Sequence, residues 1–361
     1  MTMSKAGKLT QGLGFTVILL LGCLGTTKAS SATRDQSPGQ AAVIEAAKKE
    51  AKLFVYGPST GRLLTTPEGK KFVGRFKEKY PFLEVNFVRI NATRLMDRIS
   101  TEYRAGRYLA DVITTSASNY YPLLKEQIVG KYLSPERGAI HEDLKDREGY
   151  WTSSFVAVFS IAYNTKLLSE ENVPKSDGEL LQAKWKGKKI GINDNNSLRW
   201  FIAQSAREDR KKALGYMTRL AAQDPFVDSG GSTLLIQLLS AGEFSIVHAA
   251  TTHSVQTAKE LGAPVAWVKT KDPHVTIPVL VGIAARPSHP NAAKLYIDFT
   301  LSEEGQKLLS PVFQIPARKG VDTDPPGLLE GMKLYSVRPE AFNNFEEDQK
   351  TFRSIFLGSG R

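Results

Sequence analysis

Residues 155–163, FVAVFSIAY, form an unbroken run of β-branched, aromatic and small apolar residues near the middle of the chain. A run of this length without alternation is the pattern of a strand buried on both faces. A second run, VLVGIAA at residues 279–285, has the same character. Between and around them, helical and strand patterns alternate. Two apolar strands crossing between two α/β halves is therefore the expected framework.

Upstream of the first run, residues 41–51 place Val43, Ile44 and Ala47 on one helical face, and residues 53–56 read as a strand. Residues 68–80 form a helical pattern with Phe72, Val73 and Phe76 as the buried stripe, ended by Pro81. Residues 84–89 alternate like a strand. Residues 93–107 recur at helical spacing through Leu95, Met96, Ile99 and Tyr103, and residues 111–114 read as the next strand. This βαβαβ order predicts a parallel sheet covered by helices on both faces.

Downstream, strands are expected at 189–192, 244–248 and 265–268, with helices at 198–206, 211–222, 233–241 and 254–261. Residues 291–310 read as two helices broken near Leu301-Ser302. Residues 339–356 predict a last helix whose Phe342, Phe345, Phe352 and Phe356 stripe docks on the first half. Lobe one is expected to comprise residues 41–155 and 279–361, in two separate sheets with lobe two at 160–278.

The 361 residues suffice for two ordinary cores, and 41% hydrophobic with 24% charged residues is a soluble globular composition. Lys5 and Lys8 followed by the apolar stretch 12–24 read as an export signal covering residues 1–29, too short for a durable membrane span. Thr27-Lys28-Ala29 and Ser30-Ser31-Ala32 both suit cleavage. Leu20-Leu21-Gly22-Cys23 resembles a bacterial lipobox, which leaves a lipid anchor through Cys23 open beside simple secretion to the periplasm or exterior. Cys23 is the only cysteine, so the fold relies on packing and not on disulfides. Residues 30–40 read as a flexible leader. Losing Lys5, Lys8 and Lys28 lowers the formal charge of +11 by three, to +8. The remaining bases are scattered, with no aromatic-basic readout motif, so nucleic acid is not the expected partner.

Three hydroxyl- and glycine-rich clusters follow strand patterns: Tyr56-Gly57-Pro58-Ser59-Thr60-Gly61, Thr114-Thr115-Ser116-Ala117-Ser118 and Asp228-Ser229-Gly230-Gly231-Ser232-Thr233. In an open α/β sheet such loops lie at strand carboxyl ends, where ligands bind and where helix starts favour anions. The glycines of the third let backbone N–H groups point at a ligand. Arg199, after Asp194-Asn195-Asn196-Ser197, offers a guanidinium fork for a carboxylate or phosphate, with Trp200 as an aromatic wall. His253 opens a helix facing the expected cleft, and His248 lies within a strand. No Gly-x-Ser-x-Gly, His-Glu-x-x-His, phosphate-loop or Gly-x-Gly-x-x-Gly motif occurs, and five histidines are dispersed without ligand spacing. The expectation is a binding protein and not an enzyme, with no cofactor and no dedicated metal site.

Tyr103-Arg104-Ala105-Gly106-Arg107 with Ala110-Asp111-Val112, Ile161-Ala162-Tyr163-Asn164-Thr165, Trp185-Lys186-Gly187-Lys188, Ser288-His289-Pro290-Asn291-Ala292-Ala293-Lys294 and Leu301-Ser302-Glu303-Glu304-Gly305-Gln306 resemble segments of bacterial extracellular solute-binding proteins. The resemblance spans roughly residues 41–356 and points to the type II branch that includes ferric-ion-binding proteins. It implies a two-lobed periplasmic-binding-protein fold with two crossing hinge strands. It further implies a monomer that gives a small-molecule ligand to the membrane permease of an ABC importer. Iron-binding relatives hold the metal with two adjacent tyrosines, whereas the corresponding loop here reads His248-Ala249-Ala250-Thr251-Thr252-His253. The expected ligand is accordingly a small oxyanion-bearing solute: a phosphonate, phosphate ester or carboxylate. Expected contacts are Tyr56, Ser59, Thr60, Thr115 and Ser116 from lobe one, and Tyr163, Arg199, Ser229, Gly231, Ser232, Thr251 and His253 from lobe two. Ferric iron with a synergistic anion is one alternative. A sensor that presents its closed form to a receptor is another, of a different class.

Overall fold

The computed structural model describes residues 38–90 and 92–358. The export segment, Cys23 and residues 30–37 of the leader lie outside the described residues. Residues 38–40 of the expected leader instead begin helix α1 (Pro38–Glu50). Strand β1 (Lys52–Gly57) follows, then a short helix α2 (Thr60–Thr65) and α3 (Pro67–Lys79). The start of α3 is fixed locally: Thr66 accepts a hydrogen bond from the Gly69 N–H at 3.0 Å, and Pro67 occupies the first turn, where its missing N–H costs nothing. Its Phe72 and Phe76 are fully buried against Tyr296 and Phe299. Strand β2 (Glu84–Arg89), helix α4 (Ala92–Arg104), strand β3 (Val112–Ser116) and helix α5 (Ala117–Lys125) complete the first series.

Strand β4 (Thr152–Asn164) is buried along its whole length. The second series is β5 (Ile190–Asn193), α6 (Asp194–Arg207), α7 (Arg210–Ala221), β6 (Phe226–Asp228), α8 (Ser232–Ala241), β7 (Ile246–Thr251), α9 (Thr252–Glu260) and β8 (Val265–Trp267). Strand β9 (His274–Ile283) then leads to α10 (Pro290–Leu301), α11 (Glu303–Phe313), β10 (Leu334–Ser336) and α12 (Phe345–Leu357). Among the described residues no helix is long and apolar enough to cross a membrane.

Strands β2, β1 and β3 pair in parallel, as do β5 with β6 and with β7. The sheet order is β2-β1-β3-β9-β4-β7-β5-β6, with β10 on β9 and β8 on β4. The expectation of two separate sheets needs correction, because hydrogen bonding continues from one series to the other through β4. Residues 152–158 of that strand pair with β9, and residues 159–164 pair with β7 and β8. A 13-residue strand is about 43 Å long, enough to serve both halves. The molecule is α/β, two-lobed, with helices flanking the sheet.

The C-terminal segment departs from expectation. It splits into a 3-10 turn (Pro339–Phe342) and α12, and α12 packs against α6 and α7 of the second series. Asp348 accepts a hydrogen bond from Arg210 of α7, and Phe342 and Phe352 are buried. The turn bridges back to the first series, where Tyr121 of α5 donates to Glu340 at 3.3 Å and Lys125 donates to the Asn343 carbonyl at 3.0 Å. The part of the phenylalanine stripe on α12 therefore covers the second half, whereas the turn that carries Phe342 touches α5 of the first half as well as α6.

Candidate functional site

Strands β1, β3, β5 and β7 end toward one another, and their carboxyl ends surround a cavity of about 210 Å³. From the first series Pro58, Ser59, Arg62, Thr115 and Ser116 line it; from the second, Asn196, Arg199, Ser232, Thr251, His253 and Ser254. Its floor is apolar. Phe155, Ala157 and Phe159 come from β4, Ile277 and Val279 from β9, and Phe313 from α11. Among the described residues that line it there is no Asp, Glu or Tyr.

Two guanidinium groups reach across this cleft. Arg199 Nε donates to Ser118 Oγ of α5 at 2.7 Å. Arg62 Nη2 donates to the Val312 carbonyl at 2.6 Å and to the Thr257 hydroxyl of α9 on the opposite wall. Their hydrogen-bond partners are thus hydroxyls and a carbonyl, never a carboxylate. Burial pulls Arg62 down to about 10, against the upward pull of Glu260 and Glu68. Burial likewise pulls Arg199 down to about 10, against Asp194. Both remain charged at neutral pH, and a charge removed from water in this way favours any anion that enters.

His253 is the third member. Its ring stands edge-on to Phe155 and Phe313, with centroids 6.2 and 5.9 Å away, while those two rings stack at 3.9 Å. Burial, and then the neighbouring Arg62 charge, push His253 down to about 3, so the imidazole is neutral. Its Nδ1 is closed to solvent and has no partner.

The helix starts complete the polar wall. Ser116, Gly231 and Thr251 stand at the N-caps of α5, α8 and α9, and none supplies a side-chain cap. The first-turn N–H groups of three helices are therefore left without side-chain acceptors where they border the cleft. The hydroxyls are held in place by one another. Asn196 Nδ2 donates to Ser232 Oγ at 2.9 Å, Thr251 Oγ1 to Ser254 Oγ at 2.8 Å, and Ser116 and Ser118 share a 3.0 Å hydrogen bond.

Of the residues singled out from sequence, Ser59, Thr115, Ser116, Arg199, Ser232, Thr251 and His253 come together here. Five lie elsewhere. Tyr56 is buried beneath α4, where its hydroxyl accepts from Arg98 at 3.1 Å. Thr60 is buried and donates to the Gly57 carbonyl at 2.7 Å. Tyr163, on β4, borders a separate depression with Trp267 and Lys175.

Ser229 is turned to Asp194, donating to its carboxylate at 2.8 Å, and Gly231 serves as the N-cap of α8 with φ +98°. The glycine loop is no empty cradle, because the Asp228 carboxylate accepts the Gly230 N–H at 2.8 Å. Residues 248–251 belong to β7 and are not a loop. His248 is core, hydrogen-bonded through Nδ1 to Ser197 Oγ at 2.9 Å and packed on Trp200. Trp200 is accordingly no wall of the cleft. Sequence reading missed Arg62, Asn196, Ser254 and the Phe155–Phe313 floor. For Arg62 a signal existed: it sits one residue beyond the first hydroxyl and glycine cluster. Among the described residues no group of three or more His, Cys, Asp or Glu side chains is placed to hold a metal.

A family model for bacterial extracellular solute-binding proteins matches residues 108–343. No curated protein matches the chain. Solved structures share the fold at low identity. Iron-bound HitA from Pseudomonas aeruginosa superposes with a TM-score of 0.71 at 20% identity, covering 84% of this chain and 99% of that one. AfuA from Actinobacillus pleuropneumoniae, with exogenous fructose-6-phosphate bound, gives 0.73 at 20%, covering 85% and 99%. The substrate-binding protein of an ABC transporter from Agrobacterium tumefaciens gives 0.74 at 16%, covering 85% and 94%.

Proposed function

We propose, for a chain that belongs to the family of bacterial extracellular solute-binding proteins, that the cleft captures a small oxyanion-bearing solute for delivery to the permease of an ABC importer. The ligand class is a phosphonate, phosphate ester or carboxylate. One observation carries this reading: two charged guanidinium groups, Arg199 buried and Arg62 partly buried, face one cavity that has no carboxylate on its wall. An anion entering there meets charge-assisted donors and the uncapped starts of α5, α8 and α9, and displaces no internal counter-ion.

In this reading lobe one comprises residues 41–155 and 279–338, and lobe two residues 160–278. The C-terminal helix, packed on α6 and α7, travels with lobe two. The solute touches both lobes, which is what a closing cleft requires, since a ligand held by one lobe alone cannot bias the open–closed equilibrium. The protein acts as a monomer, exported from the cytoplasm.

The donor set argues against ferric iron held by protein alone, because Fe³⁺ prefers anionic oxygen ligands and this wall supplies only neutral hydroxyls, an amide, an imidazole and two cations. Thermal shift and calorimetry with methylphosphonate, glycerol 3-phosphate and citrate, beside ferric citrate followed by visible absorption, test the assignment. Stabilisation by at least one metal-free oxyanion supports it. A charge-transfer band with ferric citrate, and no response to any metal-free anion, overturns it in favour of iron with a synergistic anion.

A further inference from the structure

We infer that the solute carries an apolar tail as well as its oxyanion head, and that the tail lies in a groove between α8 and α9. This rests on the oxyanion reading above and specifies the rest of the ligand. The groove is a second cavity of about 290 Å³, larger than the cleft, and Arg62 and Ser254 line both. It runs away from the two helix starts. Thr233, Ile236 and Ser240 descend one face of α8, and Ser254, Ala258 and Leu261 descend the facing side of α9.

The spacing of three, four and seven residues along each helix makes two facing stripes. Seven residues at 1.5 Å each give a channel of about 10 Å. A head at the uncapped N-termini and a tail along the stripes lets a single molecule use both cavities, which share Arg62 and Ser254. Arg62 stands at their junction, with its Nη2 bonded across to Thr257 and its Nε buried and unpartnered. At the far end Leu261 is 82% exposed, an apolar lip that a tail would cover.

A polyhydroxylated body suits this groove poorly. Arg62, Thr233, Gln237, Ser240, Ser254 and Thr257 put polar groups on the groove's wall, but most of the surface it exposes is apolar, from Ile236, Ala258, Ala263 and Leu261. Most hydroxyls of such a body would therefore lose water without a partner. An alkyl chain has no hydroxyls to desolvate there and leaves the Ser240 hydroxyl, already without a partner, uncompensated. Each methylene buried should raise affinity about fourfold.

The test is calorimetric titration of the mature chain with methyl-, propyl- and hexylphosphonate, with glycerol 3-phosphate as a polar-tailed comparator. Affinity is expected to climb about fourfold per methylene, and propylphosphonate to bind more tightly than glycerol 3-phosphate. In Ala258→Phe, which fills the groove, the hexyl-to-methyl affinity ratio should collapse toward one. Methylphosphonate binding with a flat series overturns the tail and leaves the oxyanion reading intact. A series that climbs equally in Ala258→Phe places the tail elsewhere and also overturns it. Glycerol 3-phosphate binding with no binding by any phosphonate overturns the tail and leaves the oxyanion reading intact, and no response to these or to citrate removes both. Should that variant fail to fold, Leu261→Ser at the exposed lip takes its place: a lower hexyl-to-methyl ratio supports the groove, and an unchanged ratio overturns it.

Discussion

Replacing Arg199 by methionine should weaken oxyanion binding and stabilise the empty protein at the same time. The guanidinium is buried on α6, is pulled down to about 10, and has Ser118 Oγ at 2.7 Å as its hydrogen-bond partner. That depression corresponds to a cost on the order of 3 kcal/mol for holding the charge out of water. Methionine of similar length removes the charge and keeps most of the packing. It also loses one hydrogen bond between a charged donor and a hydroxyl, worth about 1.5–2 kcal/mol. The difference leaves the unliganded variant about 1 kcal/mol more stable, a rise in Tm of about 2 °C.

Binding moves the other way. A charge-assisted bond to the ligand contributes about 1.5–3 kcal/mol, so affinity should fall about 10- to 150-fold. Arg199→Lys keeps the charge but loses the planar fork and should recover only part of it. Thermal unfolding of the empty proteins and calorimetry with methylphosphonate read the two effects separately. A variant that binds within twofold of the parent, or one destabilised by 2 kcal/mol or more, would refute the assignment of Arg199 as an unpaired anion receptor.

Three further outcomes follow from the same geometry. His253 titrates near 3 in the folded state and at its ordinary value when unfolded. Between those values only the unfolded chain takes up the proton, so His253 contributes a loss of stability as pH falls below about 6.5 and nothing above it. His253→Gln should therefore lose about 2 kcal/mol less than the parent between pH 6.5 and 5, measured by urea unfolding, and parallel profiles would contradict this. Asp177, pushed up to about 7 by burial and then Asp272, has the opposite sign, and it cancels because both proteins carry it. The double variant Ser118→Ala, Thr257→Val removes the hydroxyl partners of both cross-cleft arginines. It should enlarge the radius of gyration of the unliganded protein in small-angle scattering, and an unchanged value would deny these bonds a part in closure. Asp348→Ala should destabilise by about 1–2 kcal/mol in urea, through loss of the bond that ties α12 to Arg210; a change below 0.5 kcal/mol would show the tether to be idle.

Patterns of burial were legible in this sequence, whereas the partners that do the burying were not. The apolar run at 155–163 marked β4, because a strand covered on both faces has no polar phase to hide it. The matching strand β9 extends from His274 to Ile283, but Pro278, with polar His274 and Thr276 before it, masked the first half. The phenylalanine spacing of the last helix correctly gave a buried stripe. Periodicity carries no information on which surface receives that stripe, and here α6 and α7 take its helical part while the turn with Phe342 also touches α5.

The site divides in the same way. Hydroxyl clusters after strands located three walls of the cleft, since strand ends and helix starts are set by local chemistry. Whether their donors are free depends on what else reaches them. Asp228 and Asp194 occupy the Gly230 and Ser229 donors of the glycine loop, while the starts of α5 and α9 stay open. Arg62 escaped notice because α2 has six residues and no amphipathic phase. Yet it is the side chain that bonds across the cleft to α9 and borders both cavities. Its place beside the first hydroxyl and glycine cluster marks a position near the cleft, but that it joins two walls is not written in the local sequence of either, and so the specificity of this cleft, head and tail alike, is set by tertiary structure.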